Sequence, residues 1–450
     1  MHKRSPDDLP RIIEAHLPAG ASGDLLVASS GGLDSTVLMH ALAGRWPKQV
    51  RAVYINHGLH VDASAWGAHC ATLARELGIA FQARIVSIPP NPEEGIESAA
   101  RYARYEAFRE LLQPGETLLT AHHADDQLET VLLALSRGSG VDGLAAMPRC
   151  QRFGVGWHLR PLLEFTRDEL LHWARERGLR WLDDPSNDDT RFDRNFLRSN
   201  VVPALRARWP SVAQAAVRTA SHLGEASELL DELAAHDFAV AALGPCLRMS
   251  ALRALEGPRR RNLLRYWLRS CGARAPSTRK LAALEHDMLA ADDDRLPCVE
   301  WDDIEVRRHR DLLYCCPRLP LTEAMDFEWT WQSPARLASV PGTLRAEIAH
   351  GRGLKRASLP ERLRVRTRAG GERLKLPGRS HHRELKKLLQ EANVLPWWRD
   401  RLPLVYVGDT LIAVADLWVD ADYAASSGDE GVRLVWDGRP QLEGIGAAHD

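Results

Sequence analysis

Between residues 25 and 137, four short apolar runs alternate with four segments of helical periodicity. Helices that connect successive strands bring those strands together in parallel. The alternation therefore predicts an α/β fold with a doubly wound, mainly parallel, Rossmann-like sheet, which binds ligands at the carboxyl ends of its strands. We expect strands at Leu25–Ala28, Val50–Asn56, Phe81–Ile88 and Thr117–Ala121, and helices at Ser35–Ala43, Ala63–Leu77, Glu97–Leu112 and Asp126–Arg137.

The alternation ends near Pro203–Pro210, and the rest of the chain divides into two parts. Residues 212 to about 292 have long helical periodicity and are followed by a predicted hairpin at Cys298–Cys316. Beyond a Pro-rich segment, short predicted strands surround one helix at Glu384–Ala392. We therefore expect a sheet domain at 1–211, a helical domain at 212–318, and a linker with a small α+β domain at 319–450.

Basic side chains are concentrated in one segment, although the formal net charge of the 450 residues is only −1. Arg352–Arg401 contains fifteen Lys or Arg and five Asp or Glu, which leaves a net charge of −11 for the rest of the chain. A basic C-terminal module on an acidic body is typical of proteins that handle RNA. A solvated basic surface without a partner is the alternative that composition leaves open.

Cysteine usage and hydropathy indicate a cytoplasmic protein. The seven cysteines are scattered and include no C-x-x-C pair, so we expect free thiols in a reducing compartment. No run of about 18 apolar residues occurs, and the first twenty residues have no apolar signal core. We expect no membrane partner, and the oligomeric state stays open, a homodimer included.

The segment "SGGLDS" lies between the first predicted strand and the first predicted helix. Its two glycines allow a ligand to approach the backbone closely, and the helix start offers unpaired N–H groups to an anion. We predict a phosphate-binding loop made of Ser30, Gly31, Gly32, Leu33, Asp34 and Ser35. A glycine turn with an Asp or Ser helix cap is the structural alternative.

Asp34 is unexpected beside a phosphate, because its carboxylate would repel the anion. A Mg²⁺ ion between Asp34 and the phosphates removes this conflict. The loop has neither the Lys of a Walker A motif nor the G-x-G-x-x-G spacing, so it belongs to another class of nucleotide-binding loop.

"TAHHADDQLET" (Thr120–Thr130) follows the fourth predicted strand, where this type of sheet binds substrates. Its side chains are suited to proton transfer and to binding of a cation; the candidates are His122, His123, Asp125 and Asp126. A capping box formed by Asp126 and Glu129 is the structural alternative.

Two further segments supply cations. Arg101 and Arg104 lie one helical turn apart and are placed to contact phosphates, a solvated helix face being the alternative. In "DDPSNDDTRFDRNFLR" (Asp183–Arg198), spacing of i, i+1 and i+4 places Arg194, Asn195 and Arg198 on one helical face.

The glycine-rich loop at a strand-to-helix junction resembles the PP-loop ATP pyrophosphatases, which cleave ATP to AMP and pyrophosphate and adenylate an oxygen of a substrate. The clusters in this order resemble the tRNA(Ile)-lysidine synthase family. The likeness is close over residues 24–200, looser through the helical segment, and returns in "HHRELKKLLQEANVLPWWRDRLPLVYVGDTLIAVADLWV". It implies a carbon–nitrogen ligase that uses ATP and Mg²⁺ to join L-lysine to carbon-2 of the wobble cytidine of isoleucine tRNA with a CAU anticodon.

The resemblance also implies roles for the candidate residues. The loop would contact the phosphates of ATP, Asp34 would hold Mg²⁺, and Arg101 or Arg104 would offset charge on the α-phosphate. Asp126 would hold the lysine ammonium and a histidine, His122 or His123, would transfer its proton. Lysine or the adenylated intermediate would also be bound by Asp125, Glu129, Arg194, Asn195 and Arg198, and tRNA by the helical domain and by Arg383, Lys386 and Lys387.

Two positions differ from the family pattern, and two rival functions remain open. Tyr54 stands where the family often has His, and His60 stands where Arg is common. A tRNA thiolase of the same fold would need a reactive or cluster-binding cysteine, and the first domain offers only Cys70 and Cys150. A non-catalytic tRNA-binding protein would not need the intact "SGGLDS" loop.

Overall fold

A computed structural model describes residues 5–88, 95–183, 189–291, 295–319, 324–338, 340–442 and 444 of the chain. Two structural units divide between Leu230 and Asp231. The division into three domains at residues 211 and 318 stays a prediction.

The first unit contains a six-stranded sheet. Its strands are β1 (Leu25–Ala28), β2 (Val50–Asn56), β3 (Ala80–Ile85), β4 (Thr117–Leu119), β5 (Cys150–Phe153) and β6 (Gly156–Leu159). They lie in the order β3-β2-β1-β4-β6-β5, and every neighbouring pair is parallel except β5 with β6. The predicted mainly parallel sheet is confirmed, and the edge hairpin of β5 and β6 is an addition to it.

Nine α-helices lie entirely within the described residues of the first unit, and several of them cover the two faces of the sheet. They are α1 (Leu9–His16), α2 (Leu33–Ala43), α3 (Ala63–Glu76), α4 (Ile96–Leu111), α5 (Ala124–Ser136), α6 (Val141–Leu144), α7 (Arg167–Glu176), α8 (Asp193–Phe196) and α9 (Val202–Arg208), with a π-helical turn at Leu197–Val201. Successive side chains of a strand point to opposite faces. Accordingly Leu25 and Val27 pack in one core with α1, α2 and α7, while Leu26 packs in a second core with α4.

Helix α5 begins two residues before its predicted start at Asp126. Its N-cap is His123, whose Nδ1 accepts hydrogen bonds from the backbone N–H groups of Asp125 and Asp126. A capping box is present, with Asp126 in the third helical position. The structural alternative considered from the sequence, a box of Asp126 and Glu129, therefore lies one turn later than the observed box.

Helices and an antiparallel sheet form the part of the chain predicted to be helical. The helices are α10 (Val212–Ala241), which spans the division between the units, α11 (Met249–Ala254), α12 (Gly257–Ser270) and α13 (Thr278–Ala290). The sheet has the order β7-β8-β11-β10-β9 and consists of β7 (Ala242–Leu243), β8 (Cys246–Arg248), β9 (Cys298–Trp301), β10 (Ile304–His309) and β11 (Leu312–Pro317). The hairpin predicted at residues 298–316 is thus a meander of three strands, the last two joined through Arg310 at φ 54°.

The C-terminal part of the second unit is mainly β-structure. Its strands are β12 (Asp326–Thr330), β13 (Ala335–Arg336), β14 (Thr343–His350), β15 (Leu354–Lys355), β16 (Arg362–Arg366), β17 (Arg373–Leu374), β18 (Arg383–Glu384), β19 (Leu404–Val407), β20 (Thr410–Val414), β21 (Trp418–Val419) and β22 (Glu430–Asp437). Two short helices, α14 (Leu385–Glu391) and α15 (Pro396–Arg399), complete it. The predicted small α+β domain after a helical region is confirmed as a fold class.

Several large aromatic side chains pack among the aliphatic residues of the main core of this unit. Trp329, Trp397, Trp398 and Trp436 are buried there together with Tyr314 of β11. None of the helices in the described part of the chain is long and apolar enough to cross a membrane.

Candidate active site

A cavity of about 380 Å³ lies at the carboxyl ends of β1, β2 and β4. This volume is within the usual range of small-molecule sites. The predicted site residues on its wall are Ser30, Gly32, Leu33, Asp34, Ser35, Arg104, His122, His123, Asp126 and Arg198. Gly31, Arg101, Asp125, Glu129, Arg194 and Asn195 lie outside the wall.

The two serines of the glycine-rich loop stabilise its turn. The backbone N–H of Ser30 donates to Ser35 Oγ over 3.2 Å, and Ser35 Oγ donates to the carbonyl of Gly32 over 3.1 Å. The N–H of Gly32 lies 3.4 Å from Ser30 Oγ. These contacts hold the start of α2 open toward the cavity, where its first N–H groups can bind an anion.

Gly31 lies where a side chain would be strained and closely packed. Its φ is +80°, and a Cβ there would lie 3.1 Å from Leu182 Cδ1 and 3.2 Å from Cys70 Sγ. Its carbonyl accepts a hydrogen bond of 2.9 Å from the N–H of Leu182. Both the backbone conformation and the close packing therefore favour glycine at this position.

Asp34 has the features of a cation ligand. Its Oδ1 is buried and has no hydrogen-bond partner within the described residues, while its Oδ2 lies 3.6 Å from His123 Nε2. Burial raises the pKa of Asp34, and the nearby Asp126 raises it further against the opposing effect of His123. An unpaired buried carboxylate oxygen is a suitable ligand for Mg²⁺, which binds one or two carboxylates together with substrate phosphates.

His123 and Asp126 form the opposite wall. The N–H of His123 donates to Asp126 Oδ2 over 3.0 Å, and His123 Nε2 lies 3.5 Å from the same oxygen. Burial raises the pKa of Asp126, but the neighbouring His123 and His122 rings and the His123 N–H outweigh it and lower the pKa to about 2. Asp126 is therefore ionised at neutral pH and faces the cavity as an anion.

His122 is connected to a second layer of polar side chains. Its Nδ1 lies 2.8 Å from Thr120 Oγ1, which lies 2.8 Å from Nε2 of the fully buried His158. Arg160 donates from Nη2 to His158 Nδ1 over 3.2 Å. Burial lowers the pKa of His122 to about 3, and the positive charges of Arg160, Arg101 and Arg104 contribute in the same direction.

Asp125 and Glu129 lie behind the wall rather than on it. Asp125 is buried, accepts the backbone N–H of Arg167 over 2.8 Å, and is paired with Arg206 of α9. Glu129 is 1% exposed and accepts two hydrogen bonds from Arg198. Both carboxylates thus connect α5 to neighbouring helices.

Arg194, Asn195 and Arg198 do not share one partner, although their spacing predicted one face. Arg198 contacts Glu129 and lies 3.4 Å from Asp126 Oδ1. Arg194 lies 3.5 Å from Glu129 and donates to Thr130, whereas Asn195 donates to the carbonyl of Asp189. The preceding residues 184–188 of the predicted cluster lie outside the described residues.

Cationic side chains face the cavity from three elements: Arg104 from α4, Arg167 from the start of α7, and Arg198 from the π-helical turn. Arg101 is exposed, with its guanidinium 4.9 Å from the centre of the Tyr105 ring. Arg104 therefore has the better position for contact with a phosphate.

The two departures from the family pattern both contact residues of α3. The Tyr54 hydroxyl donates to the carbonyl of Ala63 over 2.8 Å, and a Cβ at Gly67 would lie 3.1 Å from the Tyr54 ring. The His60 ring is stacked on Trp66 with 4.6 Å between ring centres. Tyr54 and Trp66 both line the cavity.

The predicted tRNA-binding residues lie around α14 in the second unit. Arg383 donates two hydrogen bonds to Glu391, and Lys387 Nζ lies 3.6 Å from Glu384. Lys386 is exposed and forms no ion pair within the described part of the chain. Of the three cations, Lys386 is thus the most available to a phosphate.

Several wall residues had no predicted role: His57, Trp66, Tyr105, Thr120 and Arg167. Thr120 and Arg167 lie inside segments with a sequence signal, since Thr120 precedes the two histidines and Arg167 follows Thr166, the N-cap of α7. His158 and Arg160 have only a weak signal, two polar residues at the end of a short apolar strand.

Models of three protein families match this chain: a PP-loop domain at residues 9–205, a TilS substrate binding domain at 247–314, and a TilS substrate C-terminal domain at 363–436. A solved structure described as the TILS C-terminal domain is 25% identical, with a TM-score of 0.20, and covers 26% of this chain and 100% of that chain.

Two relatives match over nearly their whole length. The chain is 41% identical over 415 residues to the tRNA(Ile)-lysidine synthase of Coxiella burnetii (strain RSA 493 / Nine Mile phase I), covering 91% of this chain and 92% of the relative. It is 41% identical over 430 residues to the protein of the same name from Xanthomonas campestris pv. campestris (strain 8004), covering 93% and 96%. The chain therefore belongs to the tRNA(Ile)-lysidine synthase family.

Proposed function

We propose that this protein is an ATP-dependent carbon–nitrogen ligase that joins L-lysine to carbon-2 of the wobble cytidine of isoleucine tRNA with a CAU anticodon, releasing pyrophosphate and AMP. One observation carries the proposal: in a member of this family, the glycine-rich loop and the His-His-Ala-Asp-Asp segment line the same cavity. ATP activation of the C2 oxygen and lysine attack on C2 can therefore take place at one carbon–oxygen bond of the substrate.

Adenylation comes first, because the C2 oxygen of cytidine is a poor leaving group. That oxygen attacks the α-phosphate of ATP, and pyrophosphate departs. Such a step depends on positioning and on neutralisation of charge. Ser30, Gly32 and Ser35 would position the phosphates, and Arg104 would offset charge at the α-phosphate.

Asp34 would hold Mg²⁺, since its buried Oδ1 has no protein partner within the described residues. The ion, when bound, would neutralise phosphate charge close to the carboxylate. His123 Nε2, 3.6 Å from Asp34, would keep the carboxylate oriented toward the loop.

Lysine then attacks C2 of the adenylate as a neutral amine. The C–N bond forms, the C2–O bond breaks, AMP leaves with the electron pair of that bond, and the protons of the amine pass to solvent. The amine must be neutral, which costs about 4–5 kcal/mol at pH 7 for an ordinary lysine. Asp126 is ionised and faces the cavity, so we infer that it holds the ammonium before attack.

Four predicted site residues would act on the substrates only through other side chains: Asp125, Glu129, Arg194 and Asn195. They lie outside the cavity wall and bind other protein groups. We propose that they position Asp126 and Arg198, the two residues of this network that reach the cavity. This assigns to Asp125 and Glu129 a supporting role in place of direct lysine binding.

The thiolase alternative is disfavoured by the environment of the two cysteines in the PP-loop unit. Cys70 packs against the glycine-rich loop but is fully buried, and burial raises its pKa. Burial also raises the pKa of Cys150. Reactive or cluster-binding cysteines instead require a stabilised thiolate.

Incubation of the protein with ATP, radiolabelled lysine and one tRNA tests the proposed function. The two tRNAs compared are the isoleucine tRNA with a CAU anticodon and a methionine tRNA with the same anticodon. We expect label in the isoleucine tRNA alone. Label in neither tRNA, with ATP consumed in the presence of a sulfur donor, would favour the thiolase.

A further inference from the structure

A hydrogen-bonded series of three residues lies behind His122. It consists of Thr120, His158 and Arg160, and we call these three residues the buried relay. Thr120 is 6% exposed, His158 is fully buried and Arg160 is 4% exposed. The series connects β6 to the end of β4, because His158 belongs to β6 and pairs in register with Leu118 of β4. None of the three residues is required by the proposed binding of ATP or lysine.

Arg160, the residue of the relay farthest from His122, determines the direction of each hydrogen bond. An arginine guanidinium can only donate, so His158 Nδ1 accepts from Arg160 Nη2, 3.2 Å away. The neutral His158 ring then has its proton on Nε2, and Nε2 donates to Thr120 Oγ1 over 2.8 Å. Burial and the charge of Arg160 lower the pKa of His158 to about 2, which keeps this ring neutral.

The Thr120 hydroxyl has one proton to donate. Within the described residues, the only acceptor it contacts other than His158 is His122 Nδ1, at 2.8 Å. A buried hydroxyl without an acceptor costs free energy, so the hydroxyl donates to His122 Nδ1. That nitrogen is therefore occupied as an acceptor.

We propose that the buried relay holds His122 as the neutral tautomer with its proton on Nε2, so that His122 donates a hydrogen bond to an acceptor oxygen of the substrates and does not accept a proton from lysine. The acceptor is an oxygen of ATP phosphate or of cytidine C2, an identity that rests on the proposed function. His122 keeps its proton throughout, and Thr120, His158 and Arg160 act as positioning residues.

The groups around His122 agree with this assignment. Asp126 is the nearby anion, while Arg101 and Arg104 of α4 and Arg160 beside β6 are cations that oppose protonation of the ring. His123 is restricted in a similar way, since its Nδ1 accepts backbone N–H groups as the cap of α5. In the neutral form of this ring the proton therefore also resides on Nε2, which lies between Asp34 and Asp126.

The tautomer can be measured directly by ¹⁵N NMR of the full chain labelled at histidine, with His122→Gln used to assign the signal. We expect an unprotonated Nδ1 and a protonated Nε2, unchanged between pH 8 and pH 5. Thr120→Val should alter the His122 signal, and Thr120→Ser, which keeps the hydroxyl, should restore it. A proton on Nδ1 of His122 at neutral pH in the wild-type protein would overturn the proposal. This result does not depend on whether the protein has the proposed ligase activity.

Kinetics distinguish a donor from a base. Glutamine at position 122 can supply an N–H near the position of Nε2 but cannot take up a proton. We expect His122→Gln to retain about tenfold more adenylation and ligation activity than His122→Ala, a ratio typical of one hydrogen bond. Equal loss in both variants, with lysine transfer affected and tRNA adenylation normal, would identify His122 as the base and overturn the proposal.

Discussion

Arg198 donates two hydrogen bonds to the buried carboxylate of Glu129, from Nε to Oε1 at 2.7 Å and from Nη2 to Oε2 at 3.0 Å. The pair connects α5, which carries Asp126, to the π-helical turn. Arg194 lies farther from the same carboxylate, at 3.5 Å. The position of Asp126 therefore depends on an ion pair that lies behind it.

Removal of this arginine should destabilise the first unit. Arg198→Ala leaves a buried charge with a weaker partner, so we expect a loss of about 3 kcal/mol in the free energy of unfolding, measured with urea. Arg191→Ala is the matched control, because Arg191 makes an equally short pair with Asp189 but its side chain is 87% exposed. We expect no measurable change for the control; equal losses in both variants would contradict a buried pair.

Gly31→Ala should abolish ATP binding. The substitution meets both the strain of φ +80° and close contacts with Leu182 and Cys70, and we expect these to displace the loop. Gly78→Ala is the control, since Gly78 has φ +66° but nothing within 4 Å of its added Cβ. Both variants should lose about 1 kcal/mol of stability from strain, while isothermal titration should show lost ATP affinity in Gly31→Ala alone.

Asp34→Asn should abolish activity without lowering the stability of the protein. Burial raises the pKa of this carboxyl, so its charge is unfavourable in the folded protein until a cation is bound. We expect the variant to keep or raise its Tm without Mg²⁺ and to lose tRNA adenylation. Asp24→Asn, at an exposed position, is the control. A strong fall in the Tm of Asp34→Asn would indicate that the carboxylate is structural.

His158 should make the unfolding free energy of the first unit depend on pH. Its pKa is lowered from 6.5 to about 2, so below pH 6.5 the unfolded chain binds a proton that the folded protein does not. This contribution to stability is complete above pH 6.5 and falls by about 1.4 kcal/mol per pH unit below it. The difference in unfolding free energy between wild type and His158→Asn should narrow by that amount per unit between pH 6 and pH 4. A constant difference would mean that the ring titrates alike in both states.

Substitutions of the basic residues near α14 should differ in how much they weaken tRNA binding. Lys387 lies beside Glu384 and Arg383 is paired with Glu391, whereas Lys386 is exposed and unpaired within the described residues. We expect Lys386→Glu to weaken tRNA binding more than Lys387→Glu and to reduce the slope of log affinity against log salt by about one. Filter binding at several salt concentrations, with ATP affinity as the control, measures this. Equal small effects would indicate that another surface binds tRNA.

The sheet of the first unit could be predicted because strand and helix patterns alternate locally. The starts and ends of β1 and β2 agree with the prediction to the residue. The start of α5 does not, because histidine is an unusual N-cap and the sequence offered Asp126 as a more ordinary one. Strands β5 and β6 were not expected, since half of β5 is exposed at the sheet edge and its pattern is weakly apolar.

The candidate site was predictable where its residues are close in sequence. Residues 30–35 and 122–126 reach one cavity because each segment follows a parallel strand. The relay was not predictable, because Thr120 and His158 are 38 residues apart and meet only through the pairing of β4 with β6. Lone polar residues in strands give no sign of their partner across a sheet.

The contact between Tyr54 and Gly67 restricts the order in which this protein can evolve. A Cβ at position 67 would lie 3.1 Å from the tyrosine ring, closer than an ordinary van der Waals contact, so we expect larger residues at position 67 to be accommodated more easily where position 54 is smaller. A change of Tyr54 would in turn give up its hydrogen bond to Ala63, at the start of α3. The two sites form an epistatic pair beside the cavity, so relatives with another residue at position 54 should also show a wider choice at position 67.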